Sequence, residues 1–254
     1  MEPTTGKLKY LFYLDILGFK DLINEKSPED LYTTIDKCLD IFYTWESFNE
    51  LFSTLYFSDT IIFYQTSEEY KQVSFLDIYG IAGQIYSKLL SEGIPVRGAI
   101  TYGEFTVKLD SNGRNNIYFG GAFIEAVDLE KNVNWVGIII SRSAYIGIDK
   151  KIFDAFIREN VFEKREDGCL LLNPFYQIRA SCFDVNAYEA AGETFLDELK
   201  AVKYLLSKEK EFSLKAPCKE YSKYANTVAF IKRVMKDGLY EWTLKMVNRL
   251  VPDT

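Results

Sequence analysis

The stretch Tyr10-Leu11-Phe12-Tyr13-Leu14-Asp15-Ile16-Leu17-Gly18-Phe19-Lys20 decides how the chain is read. Its apolar run is long enough for a buried strand and ends in one carboxylate. A glycine three residues later opens a helix-like pattern. A lone acid at the end of such a strand is costly to bury unless something charged sits against it. The segment alone therefore allows two readings of Asp15: a salt-bridged or capping acid, and a metal ligand.

Composition narrows the chemistry around this acid. The 254 residues are 48% hydrophobic and 26% charged, which suits one large domain or one domain with an extension. A net charge of −7 argues against a non-specific polyanion binder, so no nucleic-acid partner is expected. An anionic substrate would need metal ions to be held. The chain contains no histidine, which excludes Ser-His-Asp and Cys-His hydrolases, His-ligated zinc enzymes and histidine general bases. Any catalysis must rest on carboxylates, metals or cofactors. Cys38, Cys169, Cys182 and Cys218 show no zinc-like spacing and read as structural thiols of a reducing compartment. No segment reads as a signal peptide, and no apolar run approaches the ~20 residues of a membrane span. The expectation is a cytoplasmic protein without a membrane partner.

Along the chain, residues 8–16 predict a strand and residues 18–24 a short helix. Ser27-Pro28-Glu29-Asp30 has the form of a helix start, with Ser27 as N-cap. That helix is expected to reach Phe48 and to bury Leu31, Ile35, Leu39 and Phe42. Residues 51–57 and 60–65 are β-rich and separated only by Ser58-Asp59, the spacing of a tight hairpin. Asp59 at its tip is ordinary turn chemistry when taken alone. A second long helix, 68–92, carries Phe75, Ile78, Ile81, Ile85 and Leu89 at helical spacing, and a strand or hairpin arm follows over 96–107. Residues 110–116 read as a polar loop, 118–130 as a glycine-led helix and 135–141 as a buried strand. Beyond these come a short helix over 150–160 and one or two strands within 169–183. From Ala187 the chain reads as helical, with Phe195, Leu199, Val202 and Leu206 as one stripe and Val228, Ile231, Val234 and Met235 as another.

The fold class is therefore α+β: a ferredoxin-like βαββαβ core with extra strands and a C-terminal helical extension. Residues 1–185 form the expected catalytic domain, and 186–254 the extension packed on the core or on a dimer. In such a core the first strand lies beside the hairpin, so Asp15 and Asp59 can converge on one sheet edge. Two acids placed together without a lysine or arginine between them repel, and paired divalent cations resolve the repulsion. The Gly18-Phe19-Lys20 turn would then offer backbone N–H groups to the phosphates that the cations bring.

At this point the sequence resembles the class III nucleotidyl cyclases. The resemblance rests on LDILGF at 14–19, FSDTIIF at 57–63, VRGAITYGE at 96–104, YFGGAFIEAVDLE at 118–130 and the strand GIIIS at 137–141. It implies that Asp15 and Asp59 hold two Mg²⁺ or Mn²⁺ ions, with the Ile16 carbonyl as a further ligand. The ions would activate the ribose 3′-hydroxyl and bind the triphosphate. It also implies a homodimer with its active sites at the interface.

The sequence departs from the purine cyclases at four positions. Leu55 and Ile117 stand where purine cyclases of the family carry a lysine and, in adenylate cyclases, an aspartate that read the base. Ile124 and Asp128 replace the asparagine and arginine of the later helix. In these features, and in the RGAITYGE and GGAFIEAVDLE segments, the chain looks like the bacterial pyrimidine cyclases of Pycsar antiphage defence. The resemblance implies conversion of CTP or UTP to a 3′,5′-cyclic monophosphate that acts on a separate effector protein. A purine cyclase with an atypical pocket and an inactive cyclase-like nucleotide-binding dimer are the alternatives. On this reading Asp15, Asp59 and Arg97 are catalytic, and Gly18, Phe19, Lys20, Leu55, Phe57 and Ile117 contact the substrate. Arg97 suits a phosphate or a pyrimidine carbonyl, but equally an ion pair with a nearby acid. Arg114 in the polar loop could reach phosphate across the dimer. Glu125 and Glu130 are expected to organise their helix and its interface.

Overall fold

The computed structural model describes residues 8–43, 51–66, 75–109, 116–175, 178, 185–215, 218–235 and 238–252. The strand β1 (Leu8–Ile16) is followed by α1 (Phe19–Glu25) and α2 (Pro28–Tyr43), and then by the hairpin β2 (Phe52–Phe57) and β3 (Thr60–Gln65). After α3 (Phe75–Ser91) comes β4 (Val96–Glu104), which completes a βαββαβ unit. β1 pairs antiparallel with β3 on one side and β4 on the other, the expected ferredoxin-like arrangement. The sheet extends to seven strands in the order β2-β3-β1-β4-β7-β9-β8, through β7 (Ile138–Ile140), β8 (Phe162–Lys164) and β9 (Leu170–Leu172).

Local chemistry explains these elements. Ser27 caps α2, its Oγ accepting from the Asp30 amide at 3.1 Å and donating to the Asp30 carboxylate at 2.6 Å. Leu31, Ile35 and Leu39 of α2 are buried, as are Phe75, Ile78, Ile81, Ile85 and Leu89 of α3. These two apolar stripes join one core with β1, where Leu11, Phe12 and Leu14 are fully buried. The burial of the Phe42 side chain is not described, and the expected helix ends at 48 and 68 lie outside the described residues.

Three expectations are corrected. The arm after Val96 is not one strand: it breaks at buried Phe105, and β5 (Thr106–Leu109) pairs antiparallel with β6 (Asn116–Phe119). Tyr118 and Phe119 therefore belong to a strand, and the helix α4 (Gly121–Lys131) starts later than its apolar pattern suggests. The reason lies at Gly120, whose φ of 151° is non-helical; a Cβ there would strike the Glu104 carbonyl. The strand expected over 135–141 shrinks to three residues, because the Val136 amide bonds to the Thr227 hydroxyl instead of to a neighbouring strand.

Beyond β7 follow α5 (Arg142–Tyr145) and α6 (Lys150–Arg158) before the edge strands. The chain ends in α7 (Val185–Ser213), α8 (Lys219–Val234) and α9 (Leu239–Leu250), with α7 kinked at Gly192. α7 buries Phe195, Leu199 and Val202, while Leu206 is half-buried. It is tied to α3 by Lys88 and Asp197, 3.1 Å apart. Among the described residues no helix is long and apolar enough to cross a membrane.

Candidate active site

Asp15 occupies the penultimate position of β1, and its place is fixed from both sides. It lies opposite Thr60 in β3 and opposite Arg97 in β4. The next amide, Ile16, donates to the Asp59 carbonyl at 2.8 Å, and Leu17 donates to the Pro95 carbonyl at 2.8 Å. The end of β1 is therefore held between the β2–β3 turn and the start of β4. Within that turn Ser58 takes a left-handed φ of 57°, an uncommon conformation for a residue with a Cβ. The tight turn keeps Asp59 at the tip, next to the end of β1.

Gly18 then reverses the chain with φ 67° and ψ 25°, and caps α1 without a side-chain hydrogen bond. Its carbonyl accepts from Asp21 at 2.9 Å and Leu22 at 3.0 Å. Asp15, Ile16, Gly18, Phe19, Lys20, Asp59 and Arg97 line one open cleft of about 700 Å³. Seven of the site residues expected from the sequence are thus brought together. Leu55, Phe57 and Ile117 are not: Leu55 is half-buried against the core, while Phe57 and Ile117 are exposed and lie outside the cleft. Arg114 lies outside the described residues.

The electrostatics differ from the sequence argument in one respect. A cation does stand beside the acidic pair: Arg97 Nε lies 3.3 Å from Asp15 Oδ2, and the same guanidinium forms an ion pair with Glu130 of α4. Of the two sequence readings of Arg97, the ion pair is the one formed within the single chain. Glu130 is only 3% exposed, so Arg97 neutralises an acid that could not otherwise be buried charged. Burial pushes the Asp15 carboxyl above its ordinary range, Arg97 opposes this, and the charge of Asp59 adds to the rise. Glu130 is raised in the same way, by burial first, against Arg97 and with Asp15. Glu125 accepts from the Ser143 hydroxyl at 3.0 Å and so ties α4 to the start of α5.

The donor set suits a hard divalent cation. Asp15 and Asp59, which carry carboxylates, and Ile16, which could offer its backbone carbonyl, line the same cleft. Among the described residues no group of three or more His, Cys, Asp or Glu forms a self-contained metal cage. Two carboxylates meet the demand of Mg²⁺, which keeps several waters and takes its remaining ligands from substrate phosphates.

Sequence reasoning missed Ile23, Asn24 and Lys223, which also line the cleft. Ile23 and Asn24 follow directly from the short helix α1. Lys223 comes from α8, and no local pattern connects that helix to Asp15.

No protein-family model and no curated protein matches the sequence. Solved structures do resemble the chain. One is the monomeric guanylyl cyclase domain of the RhoGC fusion protein from the aquatic fungus Blastocladiella emersonii, at 17% identity and a TM-score of 0.51, covering 66% of this chain and 98% of that one. Another is the catalytic core of a rhodopsin-guanylyl cyclase with converted specificity, in complex with ATPαS, at 15% identity and a TM-score of 0.51, covering 67% and 97%. The chain therefore has the fold of a nucleotidyl cyclase catalytic domain.

Proposed function

We propose that the protein is a metal-dependent pyrimidine nucleotide cyclase, converting CTP or UTP to the 3′,5′-cyclic monophosphate and pyrophosphate. The observation that carries this is the placement of Asp15, Asp59 and the Gly18 turn on one cleft of a cyclase-type sheet. In the reaction the O3′–Pα bond forms, the bond from Pα to the β-phosphate oxygen breaks, and the 3′-hydroxyl proton passes to water. Asp15 and Asp59, with the Ile16 carbonyl, would hold two Mg²⁺ or Mn²⁺ ions. Such ions ease ionisation of the 3′-hydroxyl and carry the charge of the departing pyrophosphate. Arg97 fixes the Asp15 carboxylate from the adjacent strand and screens it from Glu130. The Gly18-Phe19-Lys20 turn borders the space for the phosphates.

The base preference is supported by the apolar character of Leu55 and Ile117, which offer no hydrogen bonds to a purine edge. The exposure of Ile117 outside the cleft fits a homodimer in which one copy completes the other's site. Exposed Phe57, Ile117, Phe119 and Ile124 provide apolar surface for such contact, and Asp128 is exposed on the same helix as Ile124. A soluble cyclic nucleotide made this way would serve as a messenger to a separate effector protein, the role the resemblance to antiphage pyrimidine cyclases suggests.

The test is incubation with Mn²⁺ and each of the four nucleoside triphosphates, with products resolved by mass spectrometry. Cyclic CMP or cyclic UMP is expected. Preferential turnover of ATP or GTP would instead select a purine cyclase, and nucleotide binding without any cyclic product would select an inactive dimer. Asp15→Ala and Asp59→Ala should each lower turnover by at least ~10³-fold, in keeping with loss of a metal ligand. The circular dichroism spectrum of both should remain that of the parent.

A further inference from the structure

Helix α8 belongs to the C-terminal segment, yet it reaches the cleft that holds Asp15. Its docking is polar and specific. The Val136 amide donates to Thr227 Oγ1 at 2.8 Å, and that hydroxyl also lies 3.2 Å from the Val136 carbonyl. Asn226 Nδ2 donates to the Asn134 carbonyl at 2.7 Å, and Asn134 Nδ2 donates to Ser222 Oγ at 2.9 Å. Phe230 packs edge-on against Trp135 at 5.1 Å. These contacts pin α8 to residues 134–136, the link between α4 and β7.

Lys223 lies next to Ser222 and one helical turn before Asn226 and Thr227, so it shares their face. From there it lines the cleft together with Asp15, Gly18, Lys20, Asp59 and Arg97. Its charge is felt at both Asp15 and Glu130. Arg97 is committed to those two acids, and Lys20 sits exposed on the turn. Among the described residues Lys223 takes no ion-pair partner, although it is half-buried. A half-buried lysine on a firmly docked helix, lining the same cleft as Asp15 and Asp59 and making no ion pair among the described residues, is placed for an anion that arrives from outside. A nucleoside triphosphate brings about four negative charges to a protein whose own charge is −7.

We infer that Lys223 is a substrate-binding residue that contacts the polyphosphate of the nucleotide, and that the C-terminal helices are therefore part of the active site. This rests on the cyclase reading above. The contact is a point-charge one, which a flexible ammonium makes as well as a guanidinium fork does.

The test compares the parent protein with Lys223→Ala and Lys223→Arg by two readouts. The first is calorimetric binding of inorganic tripolyphosphate with excess Mg²⁺. The second is steady-state cyclisation of whichever triphosphate the parent turns over. Lys223→Ala should weaken tripolyphosphate binding by ~10-fold or more, as expected for one charge-assisted contact. Lys223→Arg should retain most of it, and the melting temperature of both variants should match the parent because Lys223 makes no ion pair to lose. Unchanged tripolyphosphate binding in Lys223→Ala overturns the inference whether or not the protein cyclises anything. A parent that binds tripolyphosphate through Lys223 but forms no cyclic product overturns the proposed activity and leaves the anion contact standing.

Discussion

Arg97 carries more of the fold than its place in a strand suggests. It is the cation between Asp15, 18% exposed, and Glu130, 3% exposed, and its removal would leave two acids facing each other at the edge of the core. Breaking a buried pair from one side costs ~3–5 kcal/mol, and partial solvent access at Arg97 brings the expectation to about 2–4 kcal/mol for Arg97→Ala. Glu130→Gln added to Arg97→Ala should restore part of that stability, because a neutral amide removes the stranded charge. Urea unfolding of the single and double variants checks this. Loss of activity with parent-like stability in Arg97→Ala would show instead that the guanidinium serves the substrate and not the fold.

At the scale of elements, α8 hangs on Thr227, whose buried hydroxyl accepts from the Val136 amide, while the Val136 carbonyl accepts from the Tyr86 hydroxyl at 2.8 Å. Thr227→Val keeps the shape but strands the Val136 amide, which should cost ~1–3 kcal/mol. By loosening α8 it should also weaken tripolyphosphate binding, with Lys223 unaltered. Both effects are read by combining thermal unfolding with calorimetry. How legible each element was follows from where its stabilising contacts lie. β1 and the Ser58-Asp59 hairpin show in the sequence because alternation, run length and turn residues are local signals. β6 did not, since Tyr118 and Phe119 continue the apolar pattern of α4, and only pairing with β5 makes them a strand. The same distinction holds within the site. Asp15, Gly18 and Asp59 stand on local elements and could be found, whereas Arg97–Glu130 and the reach of Lys223 depend on contacts between distant segments.

For the whole molecule, the question is what completes a cleft that is open on one side. Phe57, Ile124, Ile117 and Phe119 are 75, 63, 48 and 47% exposed, a high exposure for large apolar side chains. A second copy of the chain would cover them and bring Phe57 or Ile117 of one copy to the cleft of the other. If so, a charge at the most exposed helical position should prevent the association without disturbing the core, because Ile124 makes little contact within its own chain. Ile124→Glu is therefore expected to be monomeric by light scattering at concentrations where the parent is dimeric, with an unchanged melting profile for the isolated chain. Its turnover should fall by ~10²-fold or more, since a site missing its second half loses the positioning of the base. Tripolyphosphate binding should persist, because Asp15, Asp59 and Lys223 all come from one chain. A parent protein that is monomeric and active at every concentration would remove the dimer from the argument, and would place the base-reading residues within the single-chain cleft, near Phe19 and Ile23.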